Sequence, residues 1–415
     1  MRRRPSSSVH PRTACAGLTD ATMRQGRRQF WERRSALVTT ASAHEAGSLA
    51  GEKPAVGTRL VALLGKLETP TDGVEDYCHW LSRALLKSGW EMECLQFPWA
   101  QGWFAALGWL WRQSRNWQGR WVCVQYTAFS WSRHGFTFGL LAALWVLRRH
   151  GARCAMVLHD PGPCSGQRWI DRLRRRVQVP VLRFAYRWSE RSIFTIDLEK
   201  VTWLSGDRGK AVFIPVGANL PGTSPIEIKP GAGRNRPKEV AVFCLTGGVH
   251  AQREAEAIAH AVVRAAGTAG PLRLVVLGRN AQAGEAPLRT ALAGTGVEME
   301  IHGVLPAEAV ELRLSQADVL LFVRGGISTR RGSAIAGIVC GLPVVAYSWR
   351  ETGPPVTEAG VVLVPSGDRE GLADALTRVL ADDAYRAQLR RRSLEAREKY
   401  FSWDAIATKH TEALR

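Results

Sequence analysis

The sequence predicts an α/β protein built from two doubly wound parallel-sheet domains. Its 415 residues exceed what one hydrophobic core normally organises. Short apolar runs alternate with helix-length amphipathic segments, the pattern of a parallel sheet joined by crossover helices. A Gly- and Pro-rich polar stretch at 221–238 interrupts that alternation, which then restarts.

The first 56 residues mix Arg, Ser, Ala and Thr without a sustained apolar period and read as a tail that cannot offset the entropy of ordering. Their opening, MRRRPSSS, fits a transit peptide or an overextended gene start, with Met23 as an internal candidate. From Arg59 the unit is a strand, RLVALLG, a loop, KLETPTDGV, and a helix, EDYCHWLSRALLKSGW, stopping at Gly89. WVCVQY with a helix over 136–149 repeats it, and RCAMVLH runs into the turn DPGP. These segments make an N-terminal domain over 57–215. The second domain, 216–390, carries EVAVFCLTG, a helix over 252–266, LRLVVLGRN, VEMEIHGVL, a short helix, ADVLLFV, another helix, LPVVAYS and VVLVP. From Glu370 the pattern is almost continuously helical, and a closing helix over 391–415 is expected to pack back on the N-terminal lobe.

Fifty-six Lys and Arg against 37 Asp and Glu give a net charge of +19, a field that attracts phosphates, anionic lipid heads or nucleic acid. Eight scattered cysteines without CxxC pairs argue for a reducing compartment and against structural zinc. The longest apolar runs, 103–111 and 136–147, fall short of the ~20 residues that span a bilayer. The expected location is the cytoplasm, including the inner face of the membrane.

In open α/β sheets ligands bind outside the carboxyl ends of the strands, so the strand-to-helix loops are the informative places. The richest is RGGISTRRGSAIAGIVCGLPVVAY, after the strand ADVLLFV. Gly325 and Gly326 let the backbone approach a ligand, Ser328, Thr329 and Ser333 offer hydroxyls, and Arg330 or Arg331 can fork onto phosphate. A helix starting near Gly332 adds its dipole. The pattern predicts an anion site, with solvated arginines and turn-forming glycines as the alternative. In the first half, Asp72 and Gly73 stand in a loop facing the cleft, where a plain turn is the competing explanation. His159 and Asp160, at the end of an apolar strand, can offer an imidazole and a carboxylate there, or a purely structural hydrogen bond.

ADVLLF, a Gly-bearing loop, a helix and CGLPVVA together resemble the donor-binding core of family-four retaining glycosyltransferases of GT-B fold. VFIPVGANLP resembles that family's lobe crossover, LRLVVLGRN its second C-lobe strand, EIHGVLPAEAVELRLSQADVLLF the segment before the donor loop, and FSWDAIATKHTEAL its terminal helix. LLGKLETPTDGVEDYCHWLSRALLKSGW resembles its opening Gly loop and helix, and MVLHDPG its strand ending in His, so the resemblance covers roughly 58–415. It implies two Rossmann-like lobes facing a cleft. It also implies transfer of a hexosyl group, with retention, from a nucleotide-diphosphate sugar to a glycan or lipid-linked acceptor in polysaccharide or glycoconjugate synthesis.

By position in the family, donor contacts fall on Gly247, Gly248 and Arg253 after the first C-lobe strand, and on His302 and Val304 beside the base. They continue through Gly325, Gly326, Ser328, Thr329, Arg330, Arg331, Gly332 and Ser333. Asp72 and Gly73 then belong to the acceptor side, and His159 and Asp160 to the catalytic positions. The two glutamates that the family usually carries around the donor loop are here Ser328 and Ala336. Their loss changes or disables the donor contacts, so a catalytically inactive GT-B-like binding protein is the alternative. No Asp-x-Asp metal motif occurs, so arginines are expected to neutralise the diphosphate leaving group, with no cofactor and no metal.

The Trp-rich WFAALGWLWRQSRNWQGRW and the basic WIDRLRRRVQVPVLRFAYRW can line a face that meets anionic head groups, or pack the first lobe's core and cover its surface. Peripheral membrane contact is therefore an expectation. No zinc, homeodomain or RNA-recognition motif occurs, so nucleic acid is not an expected partner and a basic nucleic-acid binder stands as the rival reading.

Overall fold

Two six-stranded sheets, all parallel, carry the fold. The computed structural model describes residues 58–67, 72–222 and 236–415. The expected tail over 1–56 and most of the polar stretch between 221 and 238 lie outside the described residues.

The first lobe runs β1 (Thr58–Leu64), α1 (Gly73–Lys87), β2 (Trp90–Gln96), α2 (Trp103–Ser114), β3 (Trp121–Tyr126), α3 (Phe138–Arg149), β4 (Arg153–Leu158), α4 (Trp169–Trp188), β5 (Arg191–Phe194) and β6 (Ala211–Phe213). Its strand order is β2-β1-β3-β4-β5-β6, so the winding reverses between β1 and β3. Every residue of β3 is buried, as expected of a parallel strand covered by helices on both faces. α1 starts where the Asp72 carboxylate accepts from the N–H groups of Val74 (2.8 Å) and Glu75 (3.1 Å), and ends before Gly89, whose φ of 75° suits glycine. Its buried stripe, Tyr77, Cys78, Trp80, Leu81, Ala84 and Leu85, follows helical spacing.

The second lobe runs β7 (Lys238–Phe243), α5 (Val249–Ala269), β8 (Leu272–Leu277), α6 (Glu285–Leu292), β9 (Glu298–Ile301), α7 (Ala307–Gln316), β10 (Val319–Gly326), α8 (Gly332–Val339), β11 (Val344–Tyr347) and β12 (Val361–Val364). The order β12-β11-β10-β7-β8-β9 reverses between β7 and β10, which makes the outside of their carboxyl ends the ligand crevice of this lobe. The helical C-terminal stretch is three helices, not one: α9 (Arg369–Ala381), α10 (Asp383–Ala396) and α11 (Trp403–Ala413). Asp382 divides the first two, acting as a new N-cap by accepting from the Tyr385 N–H at 2.9 Å.

α11 packs on α1 of the first lobe. Tyr77 Oη lies 2.8 Å from His410 Nε2, and Arg191 donates to the Ala413 carbonyl at 3.0 Å. Trp403 donates to the Leu220 carbonyl at 2.9 Å and lies flat on Gly217, where any Cβ would collide with the indole. The chain thus crosses between the lobes twice at one place. Truncating this indole removes packing from both crossings, and Trp403→Ala is expected to cost about 3–5 kcal/mol, read as a lowered thermal midpoint. An unchanged midpoint would show that the crossing does not depend on it.

Candidate functional site

β10 carries the crevice loop. Its ladder with β11 slips between Phe322 and Gly326, a bulge at which Gly325 takes a φ of 65°. Gly326 is still strand, and a Cβ there would strike Trp349. The sequence places the strand end three residues earlier, at Val323. The pairing survives because the second glycine admits the Trp349 backbone.

The next residues are spoken for by the first lobe. Thr329 is buried, donates from Oγ1 to the Thr195 carbonyl at 2.6 Å, and accepts at its own carbonyl from the Val216 N–H at 3.0 Å. Arg330 forks onto Glu351 at 2.8 and 3.2 Å and approaches Asp160, at the end of β4, at 3.4 Å. Burial pushes the Glu351 carboxyl up, yet the bond from Arg330 together with the charges of Arg330, Arg331 and Arg350 outweighs it, and the group titrates below its ordinary value. Burial raises the Asp160 carboxyl, with Arg330 pulling it back. Two of the polar side chains expected on a donor therefore hold the lobes together.

Arg331 and Arg324 differ. Arg331 caps α8, its carbonyl accepting from the N–H groups of Ala334 (2.9 Å) and Ile335 (3.0 Å). Its Nε is buried without a hydrogen-bond partner among the described residues, as is that of Arg324. Arg324 reaches Ser333 Oγ only at 3.5 Å. Burial, then repulsion from Arg330 and Arg324, holds the Arg331 guanidinium below its ordinary pKa. Arg279 follows β8; burial raises the nearby Cys244 thiol, while the Arg279 N–H and the charges of Arg324 and Arg279 lower it. Ser328, also buried, leaves Oγ without a partner among the described residues, and Gly332 opens α8. Buried cationic nitrogens beside a helix N-terminus are chemically suited to a multiply charged anion.

Gly247 and Gly248 lie in the loop after β7, the other strand of the crevice. Glu254 accepts from the Thr246 N–H at 2.8 Å, and Gly248, φ 67°, precedes α5. Arg253 is exposed on α5, and its charge reaches Glu256. His302 lies beyond β9, three strands from β10, 3.3 Å from a Glu300 oxygen that also accepts from Arg313 at 2.7 Å. Val304 is half exposed.

Across the crevice, His159 Nε2 lies 2.7 Å from Gln125 Oε1, and the Gln125 amide donates to the Cys123 carbonyl at 3.3 Å. That orientation makes Gln125 Oε1 the acceptor and His159 Nε2 the donor, leaving Nδ1 unprotonated in the neutral ring. Asp72 spends its carboxylate on capping α1, and Asn219 donates to the Gly73 carbonyl at 2.9 Å. The structure thus brings His159, Asp160, Thr329 and Arg330 together, and groups Arg324 and Arg331 with Ser333. It leaves Arg253, His302 and Val304 on other elements. Arg279, Arg324, Glu351 and Gln125 escape the sequence reading. For the two arginines the signal is a cation immediately after an apolar strand, in LGRN and FVRGG.

Residues 241–382 match the family model of glycosyl transferases group 1, so the second lobe carries a glycosyltransferase domain of that group. No curated protein sequence matches the chain. Among solved structures, Anabaena HepE in complex with UDP and glucose superposes with a TM-score of 0.59 at 14% identity, over 86% of this chain and 99% of its own. Sucrose-phosphate synthase from Thermosynechococcus elongatus gives 0.58 at 18%, over 86% and 98%. A glycosyltransferase from Rickettsia africae gives 0.59 at 11%, over 86% and 97%. The two-lobed architecture is the GT-B fold.

Burial lowers the His159 imidazole to about 4, and lowers His410 to about 3 with help from repulsion by His159. Both rings bind protons more weakly folded than unfolded, where the ordinary value is 6.5. Their contribution is complete above the unfolded value and is lost as pH falls through the folded ones. The thermal midpoint is expected to drop as pH falls from about 6.5 towards 4, and the double variant His159→Gln, His410→Gln to flatten that slope. An equal slope in both proteins would refute the assignment.

Proposed function

We propose that this chain uses its glycosyltransferase domain to move a hexosyl group from a nucleotide-diphosphate sugar to a glycan or lipid-linked acceptor, with retention, in polysaccharide or glycoconjugate synthesis. The observation that carries the reading is the pair of buried guanidinium nitrogens on Arg324 and Arg331 without partners among the described residues, at the carboxyl end of β10 and the start of α8. A diphosphate supplies the missing acceptors, and its charge grows as the glycosidic bond to it breaks, when fixed cations stabilise it most. Arg331 and Arg324 take this role. Arg330 does not, because Glu351 and Asp160 already neutralise it.

His159 contributes a neutral ring whose Nδ1 accepts a hydrogen bond from a hydroxyl of the sugar or acceptor, and Asp160 holds the neighbouring charge through Arg330. No nucleophile is assigned. A donor-binding protein without transfer is the second reading, favoured by Ala336, which is fully buried and offers no carboxylate where the family usually places one.

Calorimetric titration against UDP, GDP and ADP and their hexose derivatives tests the site. One nucleotide is expected to bind, and Arg331→Ala and Arg324→Ala each to weaken it about 10- to 100-fold, the worth of a charge-assisted hydrogen bond. Absence of binding to every nucleotide would dismiss the donor site. Binding with neither transfer nor hydrolysis of the sugar would establish the second reading instead.

A further inference from the structure

The helices α2, α3 and α4 form one layer over the first sheet, and their outer side carries an uncommon surface. Between Trp103 and Trp188 the sequence holds fourteen arginines, no lysine and two acidic residues, Asp160 and Asp171. Asp160 faces Arg330 across the crevice, and Asp171 is buried against Arg174. The outer faces are thus left without a carboxylate. Arg112, Arg149, Arg172, Arg176 and Arg187 are exposed and have no acidic partner among the described residues.

Apolar side chains lie among these charges. A shallow groove between α2 and α3 is lined by Leu107, Trp111, Ala142, Trp145 and Val146, and Trp188 with Arg148 and Arg149 continues it. Phe104 is 87% exposed, Trp169 75% and Phe138 59%, and each stands in the first two residues of its helix. Those helix starts are joined: a Cβ on Gly139 would strike the Trp103 ring, and Arg174 donates to the His134 carbonyl at 2.7 Å. All three helices begin beyond the carboxyl ends of their strands, so the exposed rings stand on the rim where the crevice opens.

We propose that this layer docks the chain on an anionic lipid bilayer, with Phe104, Phe138 and Trp169 entering the headgroup region and the unpaired arginines meeting lipid phosphates. Exposed rings interleaved with arginines suit that boundary, where one end of the side chain is apolar and the other charged. No helix among the described residues is long and apolar enough to cross a membrane. Duplex nucleic acid would use the arginines but give the rings on the rim nothing to bury against. The docked orientation turns the mouth of the crevice towards the lipid.

Flotation of the full-length protein with vesicles of phosphatidylcholine, and of equal parts phosphatidylcholine and phosphatidylglycerol, tests this without any nucleotide. Binding is expected only to the anionic vesicles and should weaken with salt. Arg172→Glu, Arg176→Glu and Arg187→Glu together, and separately Phe104→Ser, Phe138→Ser and Trp169→Ser together, should each lower the partition coefficient at least about tenfold. All six positions are exposed, and an unchanged thermal midpoint in each variant confirms that the fold is kept. Failure to float with anionic vesicles at low salt overturns the proposal, as does equal flotation of either variant. Displacement from the vesicles by duplex DNA at equal phosphate concentration would do the same and assign the surface to nucleic acid. None of these outcomes bears on nucleotide binding at Arg331.

Discussion

The bidentate pair between Arg330 and Glu351, extended to Asp160, is the contact around which the crevice is arranged. It uses up one of two adjacent guanidinium groups and binds the loop to the first lobe, while Thr329 does the same through the Thr195 carbonyl. Arg331 and Arg324 keep their Nε atoms buried without a partner among the described residues, and burial with repulsion from Arg330 and Arg324 outweighs the pull of Glu351 and Asp160 on the Arg331 guanidinium. Positive charge held away from water is costly unless an anion completes it. The same loop that joins the lobes therefore carries the cations on which the proposed donor site rests.

The opposite wall is built by different means. His159 is positioned by Gln125 on β3 and by the Tyr77 ring, whose centroid lies 4.9 Å away edge-on. Tyr77 in turn meets His410, delivered by the last helix. A side chain near the end of the sequence thus packs behind a group at the crevice, which explains why the terminal helix returns to the first lobe. Burial keeps both imidazoles neutral, so this wall presents hydrogen-bonding groups while the other presents charge.

The central strands were legible because each carries a continuous apolar run: LVALL in β1, WVCV in β3, CAMVL in β4 and VLLFV in β10. β2, the half-exposed edge strand WEMECLQ, and the short strands β5 and β6 carry too few buried positions to show a period. Composition marks the loop at 328–333 as the place to expect an anion, but it does not show which of its side chains turn to the other lobe. Glu351 stands 21 positions from Arg330, and Thr195 stands 134 from Thr329. Likewise Tyr77 and His410 are 333 positions apart. Contacts across such separations follow from sheet order and helix return, which local spacing does not encode. Arg324 and Arg279 fall between these cases, visible as cations after apolar strands but lacking a neighbour in sequence to mark them.

The double crossing at Gly217 and Trp403 bears on how the two halves can move. Trp403 bonds the Leu220 carbonyl and Arg397 bonds the Gly222 carbonyl at 2.7 Å, so the outgoing and returning segments run side by side and are stitched to each other. A pair of fastened connections acts as a door hinge, with freedom about its own line and stiffness against twist or sliding. Opening would then swing Thr329 and Arg330 away from Thr195 and Asp160 along an arc, and closing would bring the same atoms back in register.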